Sequence, residues 1–143
     1  MKVERKIDMA ASAEDVYQVV MDPHRLKDWV SIHERLEDAP DSLRKGSTLT
    51  QSLKLAGRKF KVNWKVVEND RPSYVVWEGK GPLGSKAKAV YEFSESDGVT
   101  HFTYMNEYNL PGGPLGKMAG PAVRKVTGKE LDASLENLRS IVE

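Results

Sequence analysis

The sequence predicts an α+β fold in which one curved antiparallel sheet of seven strands carries a long C-terminal helix across its concave face, with two short helices after strand one. Three observations predict it. Residues 2–9 alternate apolar and charged, the stretch from Ile32 to Leu110 keeps a two-residue period broken by turn signals, and residues from about 115 to 142 return to a helical period.

In the first strand Val3, Ile7 and Met9 share one face and Lys2, Glu4, Lys6 and Asp8 the other. Ser12-Ala-Glu-Asp15 opens a helix like a capping box in which Asp stands for the preferred Glu or Gln; Val16, Tyr17, Val19 and Val20 form its apolar side. Asp22-Pro23 ends that helix and caps a second, with Pro23 at the tolerated first position, running to about Trp29. Punctuation then recurs at Pro40-Asp41, Lys45-Gly46, Ala56-Gly57, Asn69 to Pro72, Gly79 to Gly84 and Ser96 to Gly98, dividing the region into six strands joined as hairpins. The plainest alternations set Phe60, Val62, Trp64 and Val66 against Lys59, Lys61, Asn63 and Lys65, and Ala87, Ala89, Tyr91 and Phe93 against Lys86, Lys88, Glu92 and Ser94. One face is wet and the other apolar, as a sheet covered on one side requires. In the final helix Leu115, Met118, Ala119, Ala122 and Val126 lie on one stripe and Leu131, Leu135, Leu138 and Val142 on another, rotated away from it. Either the helix bends at Gly128 between them, or it is straight and buried on most sides.

The length of 143 residues predicts a single domain, 1–143, large enough to bury a core without staples. The absence of cysteine removes thiol catalysis and thiolate metal sites and fits a reducing, cytoplasmic setting. Lys and Arg number 22 against 21 Asp and Glu, so the composition predicts no strong field toward nucleic acid or acidic membranes. No apolar leader and no run of about 18 apolar residues occurs, so neither a signal peptide nor stable membrane insertion is expected.

Catalytic signatures are sparse. His24, His33 and His101 have no metal-ligand spacing, so no metal and no cofactor are expected. Ser31-Ile-His33 lacks an acid to complete a triad. Gly79-Lys-Gly81-Pro-Leu-Gly84 matches G-x-G-x-x-G only formally, because Pro82 removes a donor and a strand follows. The lysine rows read as solvated outer faces, with no interleaved exposed aromatic to suggest nucleic-acid binding.

The stretches ASAEDVYQVVMDPHRLKDWVSIHERLE, NDRPSYVVWEG and YNLPGGPLGKMAG…SLENLRSIVE resemble the START-like superfamily, also called SRPBCC or Bet v 1-like, and particularly its polyketide cyclase/dehydrase-like branch. The resemblance covers essentially the whole chain and implies the helix-grip fold, with a hydrophobic cavity between sheet and terminal helix. Inward parity then gives Phe60, Trp64, Trp77, Ala89, Tyr91, Tyr104 and Tyr108 to the cavity wall, with Trp29 from the second short helix and Met118, Ala119 and Ala122 from the long one. Small Ala87 and Ala89 predict open space. Arg5, Gln51 and Asn106 are polar at inward positions, where each needs a partner, water or ligand. Pairing strand one with strand seven suggests Val3 opposite Tyr108, Arg5 opposite Asn106, Ile7 opposite Tyr104 and Met9 opposite Phe102, which makes Arg5 and Asn106 a donor pair for an acidic or carbonyl-bearing ligand. The turns at 56–57, 79–84 and 111–116 converge at one end as a mouth, with Leu83, Leu115 and Met118 as its apolar lip.

Two functions fit this reading. One is binding or transport of a small hydrophobic molecule, such as a lipid, isoprenoid or polyketide, by a monomer or weak homodimer. The alternative is a cyclase or dehydratase of the polyketide type, in which Asn106, Arg5, Tyr91 or Tyr104 polarises a carbonyl or moves a proton.

Overall fold

The computed structural model describes residues 1–109 and 121–143. The strands are β1 (Lys2–Met9), β2 (His33–Glu37), β3 (Thr48–Leu55), β4 (Arg58–Asp70), β5 (Tyr74–Lys80), β6 (Lys86–Ser96) and β7 (Val99–Asn109); the helices are α1 (Ala13–Val20), α2 (Leu26–Trp29) and α3 (Pro121–Val142). All seven strands form one antiparallel sheet in the order β1-β7-β6-β5-β4-β3-β2. No helix of the described residues is long and apolar enough to cross a membrane.

Local chemistry accounts for the joints. Ser12 Oγ accepts from Asp15 N at 3.1 Å and caps α1, and Asp22 Oδ1 accepts from His24 N at 2.9 Å and caps the 3-10 turn Pro23–Arg25 that leads into α2. The two-residue turns Ala56-Gly57 and Asp97-Gly98 have positive φ at both positions, the geometry that matches the twist of the strands they join. A bulge in β4 between Val66 and Glu68 adds local twist.

Alternation decides the layers. Val62, Trp64 and Val66, then Val75 and Trp77, then Ala89, Tyr91 and Phe93 point to one continuous core with α1, α2 and α3. On the outer face a row of opposite charges crosses five strands: Lys65 pairs with Glu78, Glu78 with Lys88, Lys88 with Glu107, and Glu107 with Lys2. Such cross-strand pairs contribute roughly 0.2–1 kcal/mol each. Lys65 and Lys88 serve this ladder, while Lys59 and Lys61 pair with Glu34 and Glu37.

Two expectations are corrected. In the β1–β7 register Val3 faces Asn106, Arg5 faces Tyr104, Ile7 faces Phe102 and Met9 faces Thr100, two residues away from the suggested alignment. A two-residue slip keeps every side chain on its face, so the hydrophobic pattern cannot exclude it. The backbone continues the pairing at Met1, whose carbonyl accepts from Tyr108 N at 2.8 Å, and Thr100 Oγ1 donates to the Ala11 carbonyl at 2.7 Å. Those contacts at the two ends of β1 hold this alignment.

The second correction concerns α3. The helix runs unbroken through Gly128 and buries one stripe, Thr127, Gly128, Leu131, Ser134, Leu135 and Leu138. Its first turn is not buried: Ala122 is exposed and Val126 half-buried. A Cβ at Gly128 would meet the Arg5 guanidinium, so this glycine provides close approach and not a bend. Arg5 Nε reaches Asp132 Oδ1 at 3.1 Å, tying the edge strand to the helix.

Gly79 has a different task. A Cβ there would lie 2.6 Å from Val62 Cγ1 and 2.8 Å from Trp64 Cε3, both in the packed interior. Gly79→Ala therefore forces the Trp64 indole or its strand to shift and should lower stability by about 1–3 kcal/mol, measured by urea unfolding. Unchanged stability would show that the Trp64 ring relaxes freely.

Candidate functional site

The interior chamber lies between the sheet and the segment around α2. Gln51, Trp64, Trp77, Ala89, Tyr91, Tyr104, Asn106 and Tyr108 line it, joined by Leu26, Val30, Ile32, Leu49 and Leu53. Strands β3 to β7 send inward residues there because parity leaves them no other direction. Trp29 is fully buried behind this wall, with its ring 5.5 Å from Tyr104 and 6.0 Å from Tyr91. Trp64 and Trp77 lie edge-on at 6.4 Å, as do Trp77 and Tyr91. Such aromatic contacts add about 0.5–1.5 kcal/mol each beyond burial.

The polar groups on this wall form a short relay. Trp64 Nε1 donates to Gln51 Oε1 at 3.0 Å, and Gln51 Nε2 lies 2.9 Å from His33 Nδ1. An indole nitrogen can only donate, so the amide oxygen must face it and the amide NH₂ must face the imidazole. His33 Nδ1 is then an acceptor, and the neutral ring carries its proton on Nε2. Burial pushes the His33 pKa down from its ordinary value, in keeping with that neutral form.

The tyrosines are protonated donors. Burial raises Tyr91 well above the ordinary phenol range, with Tyr104 adding to the effect. Burial likewise raises Tyr104, partly offset by a hydrogen bond from Asn106, and burial followed by the neighbouring Tyr104 raises Tyr108. Trp77 Nε1 and Trp29 Nε1 are buried with no hydrogen-bond partner among the described residues. Among the described residues no charged side chain lines the chamber.

The expected open cavity is much smaller than Ala87 and Ala89 suggest. The chamber measures about 40 Å³, room for about three waters at roughly 10–15 Å³ each. Indole and phenol rings from the neighbouring strands occupy the space beside the alanines: Trp77 faces Ala89 across β5–β6, and Tyr108 faces Ala87 across β6–β7.

Phe60 belongs to a second pocket, an apolar groove of about 30 Å³. It is lined by Met1, Leu55, Phe60, Val62, Pro82, Ala87, Tyr108 and Val123, and it joins the β3–β4 and β5–β6 turns at one end of the sheet. Tyr108 stands between groove and chamber, lining both. Two of the three turns expected at a mouth thus come together. The third, 111–116, with Leu115, Met118 and Ala119, lies outside the described residues. Ala122 does not face the chamber.

Arg5 also misses the chamber. Its side chain is 42 % exposed, bonded to Asp132 and to the Glu4 carbonyl, and it faces Tyr104 in the register in place of Asn106. The reason is the two-residue offset together with an acid on α3 that no strand pattern reveals. Leu26, Val30 and Ile32 were not foreseen, because α2 is four residues long and too short to show a periodicity. Gly79 as the seat of the Trp64 ring was legible only as a turn signal.

A curved sheet gripping a C-terminal helix, with a largely apolar chamber beneath it, defines the class as a helix-grip domain. The model for the polyketide cyclase/dehydrase and lipid transport family matches residues 1–143, and the chain belongs to that family. It is 28 % identical over 132 residues to the uncharacterized protein Rv1546 of Mycobacterium tuberculosis, covering 90 % of this chain and 92 % of that one. It is 22 % identical over 143 residues to Toxin Rv0910 of the same organism, covering 98 % and 96 %. A START superfamily protein from Mycobacterium smegmatis superposes with a TM-score of 0.74 at 18 % identity over 99 % of this chain and 96 % of its own. That likeness shows the fold.

The relay predicts a pH effect with a definite sign. The unfolded chain protonates His33 at its ordinary pKa while the folded chain resists until a lower pH. Below the ordinary value the unfolded state therefore binds more protons, and stability contributed by neutral His33 falls as pH drops toward the depressed pKa. His33→Gln should flatten the fall in denaturation midpoint from about pH 7 to pH 5, the window just below the ordinary His value. An identical slope in wild type and variant would place the titration elsewhere.

Proposed function

We propose that this protein binds a small, uncharged hydrophobic molecule in the chamber and orients it through a hydrogen-bond acceptor such as a carbonyl oxygen. The observation that carries the reading is the Trp77 indole N–H, buried on an aromatic wall without a partner. Leaving a buried donor unsatisfied costs about 1–3 kcal/mol, which an acceptor on a bound molecule recovers in part. Tyr91, Tyr104 and Asn106 add further donors nearby, and the wall has no charged side chain among the described residues, which disfavours an ionised ligand. An acidic ligand, which a buried Arg5 would have favoured, loses its support.

A cavity of about 40 Å³ does not hold a molecule of drug size, which needs roughly 300–1,000 Å³. Binding on this reading moves aromatic side chains of the wall, and Tyr108, shared with the outer groove, is the gatepost nearest the turns. Family membership supports a hydrophobic ligand without choosing it. The cyclase or dehydratase alternative needs a base poised at the bound molecule; the tyrosines stay protonated at neutral pH and His33 stands behind Gln51, which supports binding over catalysis.

The test uses two probes of nearly equal size, 2-acetylnaphthalene and 2-ethylnaphthalene, titrated by tryptophan fluorescence and calorimetry. The ketone should bind more tightly, and Trp77→Phe should reduce its advantage about five-fold, the worth of one neutral hydrogen bond. Saturable binding of neither probe overturns the reading, as does a ketone preference that survives in Trp77→Phe.

A further inference from the structure

We infer that the turn end of the sheet is a docking surface for anionic lipid bilayers. The evidence is a separation of charge that the net value of +1 conceals. At the end where β3 meets β4 and β5 meets β6, the exposed cations are Lys54, Arg58, Lys80 and Lys86, with Arg124 and Lys125 on the first turn of α3. No acid of the described residues lies within ion-pair distance of any of these six. Lys59 and Lys61, on the same end, are the ones matched, to Glu34 and Glu37. Residues 110–120, which link β7 to α3, contain one lysine and no acid, so they bring no negative charge to it.

The far end has the opposite character. Asp70 ends β4, Glu95 and Asp97 mark the β6–β7 turn, Asp15 sits in α1 and Glu143 closes the chain at Ala10; the cations near them are paired, Arg71 with Glu14 and Arg139, one turn before Glu143, with Glu136. The molecule is therefore electrically polarised along its strands, with the positive pole around the groove that leads toward the chamber.

An apolar element stands at that pole. Leu83 is 72 % exposed, the one large hydrophobic residue so exposed among the described residues. It is held at φ +56 at the tip of the β5–β6 turn, beside exposed Pro82 and the apolar groove of Leu55, Phe60 and Val123. A left-handed backbone is unfavourable for leucine, so local geometry does not explain the residue type there. Basic side chains ringing an apolar tip complement a surface with negative headgroups outside and hydrocarbon just beneath. An acidic protein would satisfy the lysines but leave Leu83 without a partner chemistry of its own. The inference concerns this surface alone and does not depend on what the chamber binds.

Flotation of the full chain with vesicles tests it. With about 30 % phosphatidylglycerol in phosphatidylcholine at about 20 mM salt the protein should float, and pure phosphatidylcholine should not carry it. Raising salt to about 500 mM should release it, since the Debye length falls to a few ångströms. The double charge reversal Lys80→Glu/Lys86→Glu should weaken binding more than tenfold, at about five-fold or more per charge lost. Leu83→Ser, which keeps the turn without the apolar tip, should weaken it several-fold while leaving the salt dependence unchanged. Circular dichroism and the naphthalene titration on the same variants report folding and chamber binding separately. Failure to float with anionic vesicles overturns the inference, as does equal binding to neutral vesicles or full binding by a folded double variant. Capture by a polyglutamate resin without vesicle binding would assign the surface to an acidic protein instead.

Discussion

Closing a helix over a sheet removes water from every polar group on the covered face, and this desolvation constraint governs how the interior is built. The inner face carries Gln51, Asn106 and three tyrosines among its aromatic rings, none of which can be left to solvent. Gln51 meets the constraint with both ends of its amide, accepting from Trp64 and donating to His33. That pair of bonds fixes the Trp64 ring, and Gly79 leaves the space in which the ring lies. Trp77 does not meet it at all among the described residues, and the exception falls in the wall of the chamber. Trp29 Nε1, behind that wall, is the other buried indole donor without a partner among the described residues.

The same constraint shapes the way α3 is fastened. Along its C-terminal two-thirds the apolar stripe of Leu131, Leu135 and Leu138 is reinforced by polar ties: Ser134 Oγ accepts from Ser31 N at 2.9 Å, and Asn137 Nδ2 donates to the Trp29 carbonyl at 3.3 Å. Arg5 and Asp132 close the opposite flank, where solvent exposure keeps the ion pair to roughly 0–1 kcal/mol. The first turn of the helix presents Ala122, Arg124 and Lys125 to solvent. Helix and sheet are thus bound firmly at the acidic end and less closely at the basic end, so that groove, Tyr108 and chamber lie in line along the direction in which the charge is polarised. The proposed entry and the proposed docking surface fall at the same end on this arrangement.

Much of the site was legible because side chains alternate along a strand wherever no bulge interrupts it. Gln51, Trp64, Trp77, Ala89, Tyr91, Tyr104, Asn106 and Tyr108 all follow from parity and all reach the chamber. Arg5 follows from the same rule and does not, since a long side chain on an edge strand can turn to an acid on a helix that sequence distance hides. Leu26, Val30 and Ile32 escaped the rule because α2 is too short for any period to emerge. Volume escaped it too: small residues mark where space begins, but the rings of Trp77 and Tyr108 on neighbouring strands decide how much of it remains.

By itself, then, the sequence determined the order of elements, the face of most strand residues, the capped start of α1 and of the turn before α2, and the turn positions, because each depends on chemistry within a few residues. Only the tertiary structure decided the β1–β7 alignment, since slips of two residues are degenerate in a pattern of period two and no hairpin joins those strands. Only it decided which charges gather at which end. Composition sums over the chain, whereas the field depends on where hairpin turns and helix ends bring distant lysines together, and that distance information exists once the strands have paired.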